Sequence, residues 1–105
     1  MTNLKIDELK IDKLANLAVK RGVGLQKGQN LLITAPIESI PLVRKIAEHA
    51  YREGANIVTP LFTDSDITLS RFKFAPNESF DTATDWLYNG MGEAFDNNTA
   101  RMAIA

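Results

Sequence analysis

The chain has 105 residues, 45 % apolar and 24 % charged, which is the composition of one ordinary globular domain. Twelve basic against thirteen acidic residues leave a net charge of -1, so neither a nucleic acid nor an anionic membrane meets an electrostatic footprint. With no cysteine there are no disulfides, thiolate metal sites or cysteine nucleophile, and no run approaches the roughly 20 apolar residues of a membrane span.

Met1 to Lys13 alternates charges with Leu and Ile and lacks the apolar core of a secretory leader, so a cytoplasmic protein is expected. Leu4-Lys5-Ile6-Asp7 echoes Leu9-Lys10-Ile11-Asp12, but a period of five suits neither helix nor strand and is read as composition. From Ile11 the spacing turns helical. Ile11, Leu14, Ala15 and Ala18 fall on one face with Leu17 beside them, Asp7 or Asp12 caps the start, and Gly22 supplies the left-handed stop.

Gln26 to Gln29 reads as a turn and Asn30 to Ala35 as a strand. Its apolar run is continuous rather than alternating, the mark of a strand covered on both faces in a parallel sheet. A helix from about Ser39 to Glu53 follows. Val43, Ile46, Ala47, Ala50 and Tyr51 form its apolar arc, and Arg44, Lys45, Glu48, His49, Arg52 and Glu53 its polar arc. Ser39 suits the N-cap, Pro41 the first turn and Gly54 the stop. A second strand, Asn56 to Phe62, completes a βαβ unit, and Pro60 assigns it to an edge or to a chain already leaving the sheet.

Asp64-Ser65-Asp66 reads as the cap of a short helix carrying Ile67, Leu69, Phe72 and Phe74 and stopped by Pro76. A longer helix is expected from Asn77 to Ser79 onward, presenting Phe80, Ala83, Leu87, Met91 and Ala94, with Gly90 and Gly92 weakening its second half. After an Asn97-Asn98 break, Met102 to Ala105 read as the opening of a buried third strand. The expected fold class is therefore α/β: a βαβ unit with a parallel sheet and flanking helices.

Few residues invite chemistry. Gly22, Gly24 and Gly28 cluster, but phosphate loops place their glycines after a strand and before a helix, the reverse of the order here. Glu38, where the first strand ends, suits a helix start and repels an anion. His49 and Glu53 have the i, i+4 spacing that can grip a metal. A metal site needs three or four convergent ligands, and the cations Lys45 and Arg52 flank this pair, so a solvent-facing histidine is expected. Asp64 and Asp66 lack the glycine and distal glutamate of a calcium loop. Trp86, Tyr88 and Phe95 have no basic stripe beside them and read as core or interface. Arg71, between Leu69 and Phe72, pairs with Asp66, with Asp64 or with a part of the protein absent from this chain.

Taken in order, Lys13-Leu14-Ala15, Leu17-Ala18-Val19, Gly22-Val23 and Leu25 to Gln29 resemble the opening of the thermophilic-type metallo-aminopeptidases, the family of aminopeptidases T, S and II. The resemblance continues through Ala35 to Glu38, Pro41 to Arg44, Ala47-Glu48, Ala50-Tyr51 and Gly54-Ala55. It then covers Arg71-Phe72, Ala75-Pro76, Ser79 to Asp81 and Trp86-Leu87, nearly the whole chain, with Pro60 as a departure. No single piece is diagnostic; the serial agreement carries the resemblance.

That resemblance implies a two-domain hydrolase that removes N-terminal amino acids from short peptides with two divalent metal ions of the zinc, cobalt or manganese class. The metal ligands of the family belong to its C-terminal domain, so no catalytic, metal-binding or cofactor-binding residue is assigned in this chain. Residues 1–105 are then expected to be an incomplete N-terminal α/β domain, inactive alone, whose partners are peptides in the complete enzyme and the missing C-terminal domain. Uncovered faces and an open sheet edge make self-association the further expectation. The alternative is a self-standing, non-catalytic α/β module that binds a partner protein.

Overall fold

The computed structural model describes residues 2–105, with side chains from Asp7 onward; the side chains of Leu4 to Ile6, in the first half of the echo, lie outside the described residues. Helix α1 (Thr2–Leu17) runs into a π-helical turn (Ala18–Val23), followed by strand β1 (Leu31–Pro36), a 3₁₀ turn (Ile37–Ser39) and helix α2 (Ile40–Arg52). Strand β2 (Val58–Thr63), helix α3 (Ser65–Phe74), a 3₁₀ turn (Asn77–Asp81), helix α4 (Asp85–Asp96) and strand β3 (Ala100–Ala103) complete the order. The sheet is parallel, in the order β2-β1-β3, with Leu31 opposite both Val58 and Ala100. The α/β class, the parallel βαβ pairing of β1 with β2 and the edge position of Pro60 agree with the sequence reading.

The period of two along β1 sends Leu31, Ile33 and Ala35 to one face. There they meet Val43, Ile46 and Ala50 of α2, Ala15 of α1, Val19 and Met102, and all of these are buried. Leu32 points the other way and is also buried, which is why β1 reads as an unbroken apolar run. The loops before the strands are knit by two adjacent amides. Asn30 Oδ1 accepts hydrogen bonds from Asn56 Nδ2 at 3.0 Å and the Ile57 N–H at 3.2 Å, and Gln29 Nε2 donates to the Asn98 carbonyl at 2.9 Å. Residues 29 and 30 thus hold the entrances of all three strands together.

Several boundaries and faces differ from the sequence reading. No glycine or proline precedes Gly22, so nothing stops α1 from starting far ahead of Ile11. Asp7 and Asp12 lie inside the helix and not at its cap. Its buried face holds Ala15 and is continued by Val19 of the π-helical turn, while Leu14 and Leu17 remain 54 % and 52 % exposed. The small side chain of Ala15 is what allows close approach to the neighbouring elements. The helical stop is Gly24 (φ 62°) rather than Gly22, because the π-helical turn carries the chain one turn further. Gly54, with φ 96°, closes α2 as expected.

Strand β2 begins at Val58, since Asn56 is committed to the loop contacts above, and β3 begins at Ala100, two residues before Met102. Asn98 (φ 64°) makes the break that launches β3. The expected single helix from residues 77–79 is split. Asn77–Asp81 forms a 3₁₀ turn, Thr82 to Thr84 are not helical, and α4 starts at Asp85 despite the glycines inside it. Arg71 explains the split. It pairs with neither Asp64 nor Asp66; one guanidinium nitrogen donates to the Ser79 carbonyl at 3.0 Å and the Thr82 carbonyl at 3.4 Å. Its guanidinium also sits 5.4 Å from the Phe80 ring centroid, and Phe72 stacks on Phe80 at 5.8 Å.

No residue of α3, of the turn after it or of α4 is fully buried. Phe74 and Trp86 are 80 % and 77 % exposed. The radius of gyration is 16.4 Å, against roughly 13 Å for a compact chain of this length. The polypeptide is a well-packed α1–α2–sheet body with a weakly packed apolar arm.

Candidate functional site

Two concave features flank the sheet. The first lies between α1 and α2, a groove of about 700 Å³ bordered by Glu8, Asp12, Arg44, Lys45, Glu48 and Arg52. Behind Asp12 of its lining is His49, which the sequence reading placed in solvent on the polar arc of α2. That placement is corrected: His49 is only 9 % exposed, and its Nε2 lies 2.9 Å from Asp12 Oδ1. The polar arc is not all solvent-facing, because α1 packs along one side of it and brings Asp12 opposite the imidazole.

An ionised carboxylate only accepts hydrogen bonds, so the Nε2–H of His49 donates to Asp12. That hydrogen bond is the main reason why the Asp12 carboxyl is held below its ordinary range. Partial burial opposes the shift, and the fields of the His49 ring, Lys45 and Arg52 reinforce it. A histidine beside a carboxylate resembles the orienting half of a catalytic pair, but the nucleophile or substrate proton that such work requires has no counterpart against His49 among the described hydrogen bonds.

The same geometry tests the residues against a metal. His49 Nε2 is engaged by Asp12, and Glu53, its i+4 neighbour, faces Lys20 at 3.5 Å. Among the described residues no group of three or more His, Asp or Glu side chains converges. Among the described residues a divalent ion therefore has no fitting donor set, and Asp64 and Asp66 supply none. Asp64 holds the N-cap position of α3, where its carbonyl accepts from the Thr68 N–H and hydroxyl, and the Asp66 carbonyl accepts from the Ser70 hydroxyl.

The second feature is a cavity of about 340 Å³ between α4 and the face of the sheet opposite α1 and α2. Leu32, Thr59 and Leu61 form its floor, and Trp86, Leu87 and Met91 its roof. Its walls are mainly apolar, with no convergent acid, base or cation. It can hold an apolar side chain but has no group to perform a reaction. Trp86 and Tyr88 stand exposed beside it, and Phe95 packs beneath the Arg101 guanidinium at 5.9 Å.

The sequence profile described as thermophilic metalloprotease (M29) matches residues 7–105. The chain belongs to that family. It is 45 % identical to aminopeptidase T of Thermus thermophilus over 95 residues, which is 90 % of this chain but 23 % of the relative. Aminopeptidase 2 of Geobacillus stearothermophilus is 41 % identical over 97 residues and is covered to 24 %, and aminopeptidase AmpS of Bacillus subtilis is 34 % identical over 95 residues. The solved structure of wild-type AmpT from Thermus thermophilus superposes with a TM-score of 0.86, covering 90 % of this chain and 24 % of that one. The chain thus spans about a quarter of the length of these family members, and the match lies on the α/β body and arm described above. No helix among the described residues is long and apolar enough to cross a membrane.

The sequence reading missed Asp12 as a partner of His49, and Gln29 and Asn30 as the clasp of the strand entrances. The signal for Asp12 was present in part. Asp12, Ala15, Asn16 and Val19 follow helical spacing, so a polar pair at the start of that stripe implies a polar partner across the interface.

Proposed function

We propose that residues 1–105 are the N-terminal α/β domain of a cytoplasmic metal-dependent aminopeptidase acting on peptides, and that the chain by itself is inactive. The observation that carries this reading is the 45 % identity and 0.86 TM-score confined to 24 % of aminopeptidase T. A catalytic C-terminal domain, the two divalent ions and their ligands are assigned to the portion of the family that this match does not cover. The role of residues 1–105 is then to supply fold, a domain interface and a wall beside the substrate.

Purified chain incubated with aminoacyl substrates and added zinc, cobalt or manganese is expected to release no N-terminal amino acid. Chelator-sensitive release would overturn the inactive reading. The exposed Ile67, Phe72, Phe74 and Trp86 also favour a second reading, a non-catalytic module that docks another protein through this arm. Restoration of peptidase activity when the rest of a family enzyme is co-expressed supports the first reading. Stable capture of one unrelated protein without peptidase activity supports the second.

A further inference from the structure

Asn89 is the one asparagine of the sequence that is followed by glycine. The side-chain carbonyl carbon of an asparagine is open to attack by the backbone nitrogen of the next residue, and a Cβ on that residue hinders the approach. Leu17, Leu31, Ile57, Glu78, Asn98 and Thr99 stand in that place after other asparagines, whereas Gly90 offers only hydrogen. Some of those other amides are also held in place. Asn56 Nδ2 donates to Asn30 Oδ1 at 3.0 Å, and Asn97 Nδ2 to the Glu93 carbonyl at 2.8 Å.

Asn89 and Gly90 lie in the middle of α4. While that turn is helical, the Gly90 N–H belongs to the ladder that ends on the Trp86 carbonyl, and the backbone holds the nitrogen away from the Asn89 side chain. Reaction therefore requires the turn to open. Gly90 and Gly92 each weaken the helix by about 1 kcal/mol relative to alanine. A Cβ at either position would meet no atom within 4 Å, so no neighbouring element packs against these two positions to hold the turn shut.

We infer that Asn89-Gly90 is a site of spontaneous deamidation, paced by the opening of the middle turn of α4. In the open turn the Gly90 nitrogen gives up its proton to base and bonds to Asn89 Cγ. The bond from Cγ to the amide nitrogen breaks, and that nitrogen takes up a proton and leaves as ammonia. Water then adds to either carbonyl of the cyclic imide and one ring C–N bond breaks. The product is aspartate at residue 89, or isoaspartate, whose main chain runs through Cβ and Cγ. Either product adds a negative charge to a helix whose charged residues, Asp85, Glu93 and Asp96, are already all acidic. Isoaspartate also inserts a carbon into the main chain, which breaks the i→i−4 ladder of α4. The inference rests on covalent adjacency and on the helix itself, and it is independent of the aminopeptidase reading.

Incubation of the chain at mildly alkaline pH, followed by peptide mapping with mass spectrometry, tests it. Conversion of amide to acid is expected at residue 89 ahead of every other asparagine, as a mixture of aspartate and isoaspartate, with a rate that rises with hydroxide concentration. The urea-unfolded chain is expected to react faster than the folded one, because the helical restraint is gone. Gly90→Ala adds a Cβ and strengthens the helix, and it is expected to slow the folded chain about fivefold or more. The isolated isoaspartate form is expected to lose helical circular dichroism relative to Asn89→Asp, which keeps the ordinary main chain. Another asparagine reacting first, no conversion at residue 89 in the folded chain, equal rates for folded and unfolded chains, an unchanged rate in Gly90→Ala, or an isoaspartate form as helical as Asn89→Asp overturns the inference. Should Gly90→Ala misfold, the comparison of folded and unfolded wild type decides.

Discussion

His49 Nε2 lies 2.9 Å from Asp12 Oδ1, and this bond joins α1 to α2 from inside their shared interface. Asp12 remains 45 % exposed in its side chain while His49 is nearly buried, so the pair sits where solvent meets core. Its effect is to fix the rotation of α1 that turns Ala15 inward and Leu14 outward. The His49 hydrogen bond depresses the Asp12 carboxyl, so the folded state favours the ionised form. The stability this gives is present above the ordinary carboxylate range of about pH 4 and is lost as pH falls through the lowered folded value. Urea midpoints of the wild type and Asp12→Asn are therefore expected to differ by a constant gap from neutral pH to about pH 4 and to converge below it. A gap that persists unchanged into strong acid contradicts the assignment.

Ile33 and Leu14 are both large aliphatic residues, but Ile33 is wholly buried in the central strand and Leu14 is half exposed. Ile33→Ala is expected to cost about 2–5 kcal/mol from lost burial and the cavity left behind. Leu14→Ala is expected to change stability by about 0.5 kcal/mol or less. Equilibrium denaturation of the two variants, compared side by side, checks the corrected face of α1.

Two glycines should respond in opposite directions. Gly54 has φ 96°, and an added Cβ would lie 2.9 Å from Lys27 Cγ and 3.4 Å from Lys27 Cα. Its carbonyl also accepts the Gly28 N–H at 2.7 Å. Gly54→Ala is expected to destabilise by roughly 1–3 kcal/mol. Gly22 lies in the π-helical turn with open space around it, and Gly22→Ala is expected to stabilise by up to about 1 kcal/mol through reduced chain entropy. Thermal denaturation measures both.

Arg71 ties the turn at Asn77–Asp81 to α3 through two carbonyls and the Phe80 ring. These contacts are solvent-exposed, so Arg71→Met is expected to cost only about 1 kcal/mol globally. Its local effect is larger. Amide exchange and proteolysis across residues 75–84 are expected to accelerate while β1 stays protected. Uniform loosening of the whole chain would show that Arg71 acts elsewhere.

Much of the body was legible in the sequence because its signals are local. The apolar run of Leu31 to Ala35, the two-faced helix ending at Gly54 and the edge mark of Pro60 each follow from periodicity or from a backbone restriction. Serial agreement of short segments was enough to point to the metallo-aminopeptidases, and the comparisons bear out the family. What stayed hidden depends on which face meets which neighbour. His49 belongs to a polar arc by spacing alone, and only the packing of α1 decides that it is buried against Asp12.

The same division runs through the rest of the chain. By itself the sequence determined the βαβ core of the α/β body, the stop of α2 at Gly54 and the break at Asn97-Asn98 before β3. Tertiary structure alone decided the rotation of α1, the clasp of Gln29 and Asn30 and the grip of Arg71 on two carbonyls. The physical reason is reach. Propensity and periodicity act over a few residues, whereas a hydrogen bond between residues 12 and 49 or between residues 30 and 56 exists only after the sheet and helices have brought those residues together.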